Sequence, residues 1–167
     1  MQKSLARLRV PLGFVAAAVG LVLAKPSWWS WSIGLGVAVA GELVRLWAAG
    51  HIEKGREITS SGPYRLVRHP LYLGSSVLGA GFAIAAQSLT VTILVVAYLG
   101  LTLTAAMRTE EARLDEKFEG AYSDYRAGAF VPAPRRFSWA RVGANREHRA
   151  VAGLALAFVV LILRIGT

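Results

Sequence analysis

From Leu71 to Met107 the chain carries no charged residue, and the run is broken only by the polar pair Gln87-Ser88. Such a stretch, with one polar break near its middle, predicts a helical hairpin. At about 1.5 Å of rise per residue its arms, over 70–87 and 89–107, each approach the roughly 30 Å depth of a bilayer's hydrocarbon core. Another apolar run, 28–49, follows the polar break Lys25-Pro26-Ser27. It opens with Trp28, Trp29 and Trp31, whose amphipathic rings suit a membrane interface. Shorter apolar runs occupy 8–24 and 150–165. Arg7, Arg9 and Arg164 at their edges are long enough to carry their charge to water. The pattern predicts an all-α integral membrane protein with about five transmembrane helices, folded as a single domain over 1–167. Its long polar segments are 51–69 and 108–149. The alternative for the first run, a cleaved signal peptide, would leave a chain beginning at Lys25-Pro26, with proline just past the cut.

Composition sharpens this picture. The chain is 54% hydrophobic with mean hydropathy +0.46, and only 17% charged, whereas soluble domains carry about 25% charged residues. The net charge of +9 follows from topology. With a cytoplasmic N-terminus, every lysine and arginine except Lys25, Arg45 and Arg164 falls on the inner side, as the positive-inside rule requires of a multi-pass protein. The expected partners are therefore membrane lipids, in a prokaryotic cell membrane, and no nucleic acid. There is no cysteine, and His51, His69 and His148 have no metal-ligand spacing, so no metal is expected. The sequence does not address oligomeric state.

The candidate chemistry lies in the two inner segments. Ser61-Gly62-Pro63-Tyr64-Arg65 places proline where a tight turn needs it. Arg68-His69-Pro70-Leu71-Tyr72-Leu73-Gly74 opens the next helix with proline in its first turn. Backbone amides at such a helix start can receive an anion; Tyr72 shares a face with His69, and Gly74 permits close backbone approach. Beyond the hairpin, Glu111, Leu114, Phe118, Ala121, Tyr122 and Tyr125 form one helical stripe, with Glu110 about 100° around the helix. Glu111 either pairs with a local arginine such as Arg108 or awaits a cation. Within the second span Glu42 and Arg45 are three apart, as a neutralising pair or as the lining of a polar cavity.

These residues resemble the isoprenylcysteine carboxyl methyltransferase family and its phospholipid methyltransferase relatives. The likeness rests on Gly62-Pro63-Tyr64-Arg65-Leu66-Val67-Arg68-His69-Pro70-Leu71-Tyr72-Leu73-Gly74, followed after a hairpin by Glu110-Glu111, Leu114, Phe118, Tyr122 and Tyr125, and runs from about Gly41 to Pro134. It implies a helical membrane methyltransferase that uses S-adenosylmethionine on a lipid-like substrate at the cytoplasmic face. Arg68, His69, Pro70, Tyr72, Gly74, Glu110, Glu111, Tyr122 and Tyr125 would bind the cofactor. The helix-start amides would take its carboxylate and Glu111 its ammonium, with Glu111 contributing more than Glu110 on the angular argument. Arg45 and Arg65 are candidates to orient an anionic acceptor, and His69 or Glu110 to act as a base toward a phenol or amine. The chain departs from the family where Glu119 follows Phe118 and where a further apolar run follows Pro134. Two rivals remain, an NADPH-dependent lipid or sterol-type reductase and a non-enzymatic membrane scaffold.

Overall fold

The computed structural model describes residues 2–53, 58–118 and 135–166, with 2–11 by their backbone alone. Among them every regular element is helical. The order is α1 (Gln2–Leu23), α2 (Trp28–Ala49), a 3-10 turn (Gly62–Arg65), α3 (Pro70–Ala86), α4 (Leu89–Lys117), α5 (Trp139–Ala144) and α6 (Glu147–Leu163). Five of these overlap the five predicted spans, although α1 begins at Gln2 and α4 runs on to Lys117, ten residues past its predicted end. Two, α2 and α4, are both long and apolar enough to cross a membrane; α3 is a shorter apolar helix, and α6 begins with Glu147 three residues ahead of its predicted start. The coarser reading, helices able to enter a bilayer, therefore holds for two elements by length and composition.

Local chemistry sets the boundaries. Ser27 caps α2 through a capping box with Ser30, satisfying amides that a helix start leaves orphaned. Pro70 sits at the head of α3, where the missing N–H costs nothing. Gln87 closes α3 in the left-handed conformation and Ser88 caps α4, so two residues turn the hairpin. The predicted stripe from Glu111 to Tyr125 breaks off within its length: α4 ends at Lys117 with Phe118 as its cap, and Tyr122 and Tyr125 lie outside the described residues.

Helix α2 against α3 is the closest pairing, because both present small residues at the seam. A Cβ on Gly41 would lie 2.5 Å from Leu78 N, and one on Gly81 would lie 2.4 Å from Ala38 N. The backbones thus touch directly, the means by which helices associate in lipid, where apolar side chains gain little by leaving the solvent. Contacts where α2 starts and α3 finishes, with Arg45 Nη1 donating to Ser75 Oγ near the opposite end, fix the antiparallel sense. Lys25 N–H donates to Ala86 O at 2.8 Å and Ser30 Oγ to Ala85 O at 3.2 Å. Helix α6 lies antiparallel along α2, with Trp31 Nε1 donating to Phe158 O at 2.9 Å near one end. The segment 135–147 closes the other: Arg141 Nε donates to Gly50 O at 2.8 Å, and Asn145 Nδ2 to Ala49 O and Ile52 O at 3.0 and 3.2 Å. These bonds satisfy carbonyls at the end of α2 that have no helical partner.

The seam makes a direct prediction. Gly81→Ala would force a methyl into the α2 backbone and cost on the order of 1–3 kcal/mol or more. Gly36→Ala, on the same helix pair but with nothing within 4 Å, would be neutral or stabilising by up to about 1 kcal/mol. Thermal unfolding of both variants in one detergent checks the opposition of sign.

Candidate functional site

Four of the predicted residues meet at the open end of the hairpin, opposite the Gln87-Ser88 turn. His69 is the N-cap of α3, and Tyr72 lies three residues on, its ring 5.5 Å from that of His69. Glu110 and Glu111 project from the last two turns of α4. His69 Nε2 and Glu111 Oε1 are 2.9 Å apart, and the Tyr72 hydroxyl donates to Glu110 Oε2 at 2.7 Å. Each acid thus has its own partner at the head of α3, about one turn beyond the apolar part of the hairpin. Glu110, about 100° around the helix from Glu111, is reached by the long side chain of Tyr72. Glu111 pairs with His69, not with Arg108. In the tautomer that donates Nε2–H to Glu111, the lone pair of His69 sits on Nδ1. That nitrogen can take a proton while the carboxylate steadies the ring.

The helix-start anion site is smaller than the sequence predicts. Pro70 has no N–H, and the amides of Tyr72 and Leu73 both donate to His69 O, at 3.1 and 3.0 Å. Of the first turn only the Leu71 amide is left for a ligand. Pro70 is buried, and Gly74 serves the helix seam, where a Cβ would meet Arg45 Cγ at 2.7 Å and Gly41 O at 2.7 Å. Arg65, on the 3-10 turn, and Arg68 are exposed. That turn needs its glycine, since Gly62 has φ +58 and packs against the His51 ring. His51 itself is buried, its Nδ1 2.9 Å from Trp47 O.

Arg45 is drawn into a different cluster. Its Nη2 lies 2.6 Å from Glu147 Oε2, its Nη1 donates to Ser75 Oγ, and its Nε is 3.4 Å from Glu42 Oε2. Every guanidinium nitrogen therefore faces a group of this chain, and both carboxylates are buried. The sequence pairs Arg45 with Glu42, but the stronger contact is to Glu147, 102 positions away. The only sequence signal for Glu147 is an acid at the head of the last apolar run, and nothing in the spacing points it at Arg45. Ser75, bonded to Leu71 O, carries no signal of its own.

Below the His69–Glu111 and Tyr72–Glu110 pairs, α3 and α4 enclose an apolar groove of about 540 Å³. Small residues on α3, Ser76, Ala80 and Ala83, and Gly100 on α4 leave the space open. Its inner end is marked by Thr104 and Met107, one turn before Glu110. Among the described residues no group of three or more His, Asp or Glu side chains is placed to hold a metal ion.

A family model described as phospholipid methyltransferase matches residues 43–121, the stretch that contains the 3-10 turn, the hairpin and both acids. The chain is 33% identical over 104 residues to the nickel-cobalt-cadmium resistance protein NccN of Alcaligenes xylosoxydans xylosoxydans, covering 60% of this chain and 47% of that protein. It is 35% identical, also over 104 residues, to the cobalt-zinc-cadmium resistance protein CzcN of Cupriavidus metallidurans, covering 60% and 46%. The chain thus spans just under half the length of the curated relatives it matches. No solved structure matches.

The two interhelical pairs are expected to couple selectively. A double-mutant cycle of Tyr72→Phe with Glu110→Gln should give an interaction of about 0.5–1.5 kcal/mol in detergent unfolding, and His69→Gln with Glu111→Gln a similar one. The crossed cycle, Tyr72→Phe with Glu111→Gln, should be additive within about 0.5 kcal/mol.

Proposed function

Because residues 43–121 carry the segment of the phospholipid methyltransferase family, we propose that this protein is an integral membrane methyltransferase that transfers the methyl group of S-adenosylmethionine to a lipophilic acceptor at the cytoplasmic membrane face. The observation that carries the reading is the placement of His69, Tyr72, Glu110 and Glu111 at the mouth of an apolar groove, at the inner end of one hairpin. When bound, S-adenosylmethionine supplies a methyl group activated on a sulfonium sulfur.

The chain's residues fit such a ligand. Glu110 and Glu111 are half-buried carboxylates able to exchange a tyrosine or histidine partner for the ligand's ammonium, with a charge-assisted hydrogen bond of about 1.5–3 kcal/mol. The Leu71 amide and the exposed Arg68 can receive its carboxylate. Transfer is an in-line displacement in which charge disperses, so the protein's part is alignment and exclusion of bulk water. A carboxylate acceptor needs no base. An amine or alkyl phenol must lose a proton, for which His69 Nδ1 and Glu110 are the available acceptors. The groove, lined by Ser76, Ala80 and Gly100, would take the acceptor's hydrocarbon tail from the bilayer. Arg65 can orient an anionic headgroup; Arg45, held by Glu42, Glu147 and Ser75, would reach one only by giving up a partner. Tyr122 and Tyr125 belong to this proposal by family resemblance alone.

The relatives' names raise metal handling as a second function, and nothing among the described residues favours it. The reductase alternative is tested alongside the main reading. Calorimetry of the detergent-purified protein should show binding of S-adenosylhomocysteine and none of NADPH; the reverse would overturn the proposal. Gly100→Trp, which fills the groove, should leave that binding intact. It should abolish the gain of one methyl mass in lipid extracts of cells expressing the protein.

On the same reading the chain crosses the membrane five times with its N-terminus inside. Because the protein has no cysteine, a single engineered cysteine beside Glu53 gives a clean probe. It should resist a membrane-impermeant maleimide in intact cells and react after lysis.

A further inference from the structure

Thr59, Ser60 and Ser61 are 7%, 5% and 2% exposed, and the hydroxyl of each lacks a hydrogen-bond partner among the described residues. Buried hydroxyls are nearly always bonded, and three consecutive ones left open call for an occupant. They lead directly into the Gly62–Arg65 turn. Tyr64 of that turn shares an apolar cluster with Ala48 and Ile52 of the α2 end and with Leu71 of α3. The hydroxyl run therefore sits at the same end of the bundle as the His69–Glu111 and Tyr72–Glu110 pairs.

The chemistry of the run selects among ligands. Hydroxyls both donate and accept, and they carry no charge. Arg65 and Arg68, which follow them, are turned to solvent. Burying an anion against hydroxyls alone would leave its charge uncompensated, whereas a neutral polar group would satisfy both sides. Resting on the function proposed above, we infer that Thr59, Ser60 and Ser61 bind the uncharged nucleoside end of the cofactor, chiefly its ribose hydroxyls. The carboxylates of α4 take the charged amino-acid end. The two ends of one ligand are thereby sorted by charge across the site, neutral groups to the hydroxyl run and the ammonium to Glu110 and Glu111.

Removing an unpartnered buried hydroxyl should not harm the empty protein and can stabilise it, because the desolvated group is lost with no bond broken. Thr59→Val, Ser60→Ala and Ser61→Ala are therefore expected to unfold in detergent at the wild-type temperature or above. At least Thr59→Val and Ser61→Ala should bind S-adenosylhomocysteine about 3- to 10-fold more weakly by calorimetry. The loss should vanish for S-adenosylhomocysteine lacking both ribose hydroxyls, which wild type and variants should bind alike. Three results overturn the inference: unchanged affinity in all three variants, an equal loss for both ligands, or a lowered unfolding temperature without ligand. Failure of the wild type to bind S-adenosylhomocysteine overturns instead the function on which the inference rests.

Discussion

Direct backbone contact between α2 and α3 is the constraint on which the site depends. Gly41 and Gly74 let the two helices meet without intervening side chains. At that separation Arg45 reaches across to Ser75 and onward to Glu147. The same contact holds the head of α3 against the α2 end, where Tyr64, Leu71 and Ile52 cluster. The direction in which His69 and Tyr72 leave α3 follows from it. In lipid, where helices have no hydrophobic reason to prefer one another over the solvent, such a seam supplies specificity that side-chain burial supplies in water.

The hairpin has the opposite character. Helices α3 and α4 are tied tightly at the Gln87-Ser88 turn and by two side-chain bonds at the opposite end, with an open groove between. Small residues thus do two jobs on one helix. On the face of α3 toward α2 they bring backbones together; on the face toward α4, Ala80 and Ala83 leave room.

Much of this was legible in the sequence, for physical reasons. Apolar runs and their breaks located the helices because capping and turn chemistry are local: Ser27, Pro70 and Ser88 stand where the helices start. His69, Tyr72 and the two acids were legible as neighbours because a hairpin must bring the residues beside its open ends together. Three features were not. The reach of Tyr72 to Glu110 depends on side-chain length, which helical angle ignores. The loss of the helix-start amides to His69 O depends on a tight first turn. The claim of Glu147 on Arg45 depends on how α6 lies along α2, a tertiary fact that no local pattern encodes.

The capping of α2 from far along the chain has a consequence for the order of assembly. Ala49, Gly50 and Ile52 are translated some ninety residues before Arg141 and Asn145, whose side chains satisfy their carbonyls. Until those residues are in place, the carbonyl oxygens at the end of α2 need water as their partner. Placement of α6 then exchanges water for protein and, through the buried Glu147, gives the half-buried Arg45 its closest anion. Helix α6 is thus a closing bolt: until it is home, Arg45 is answered, among the described residues, by Glu42 alone, at 3.4 Å.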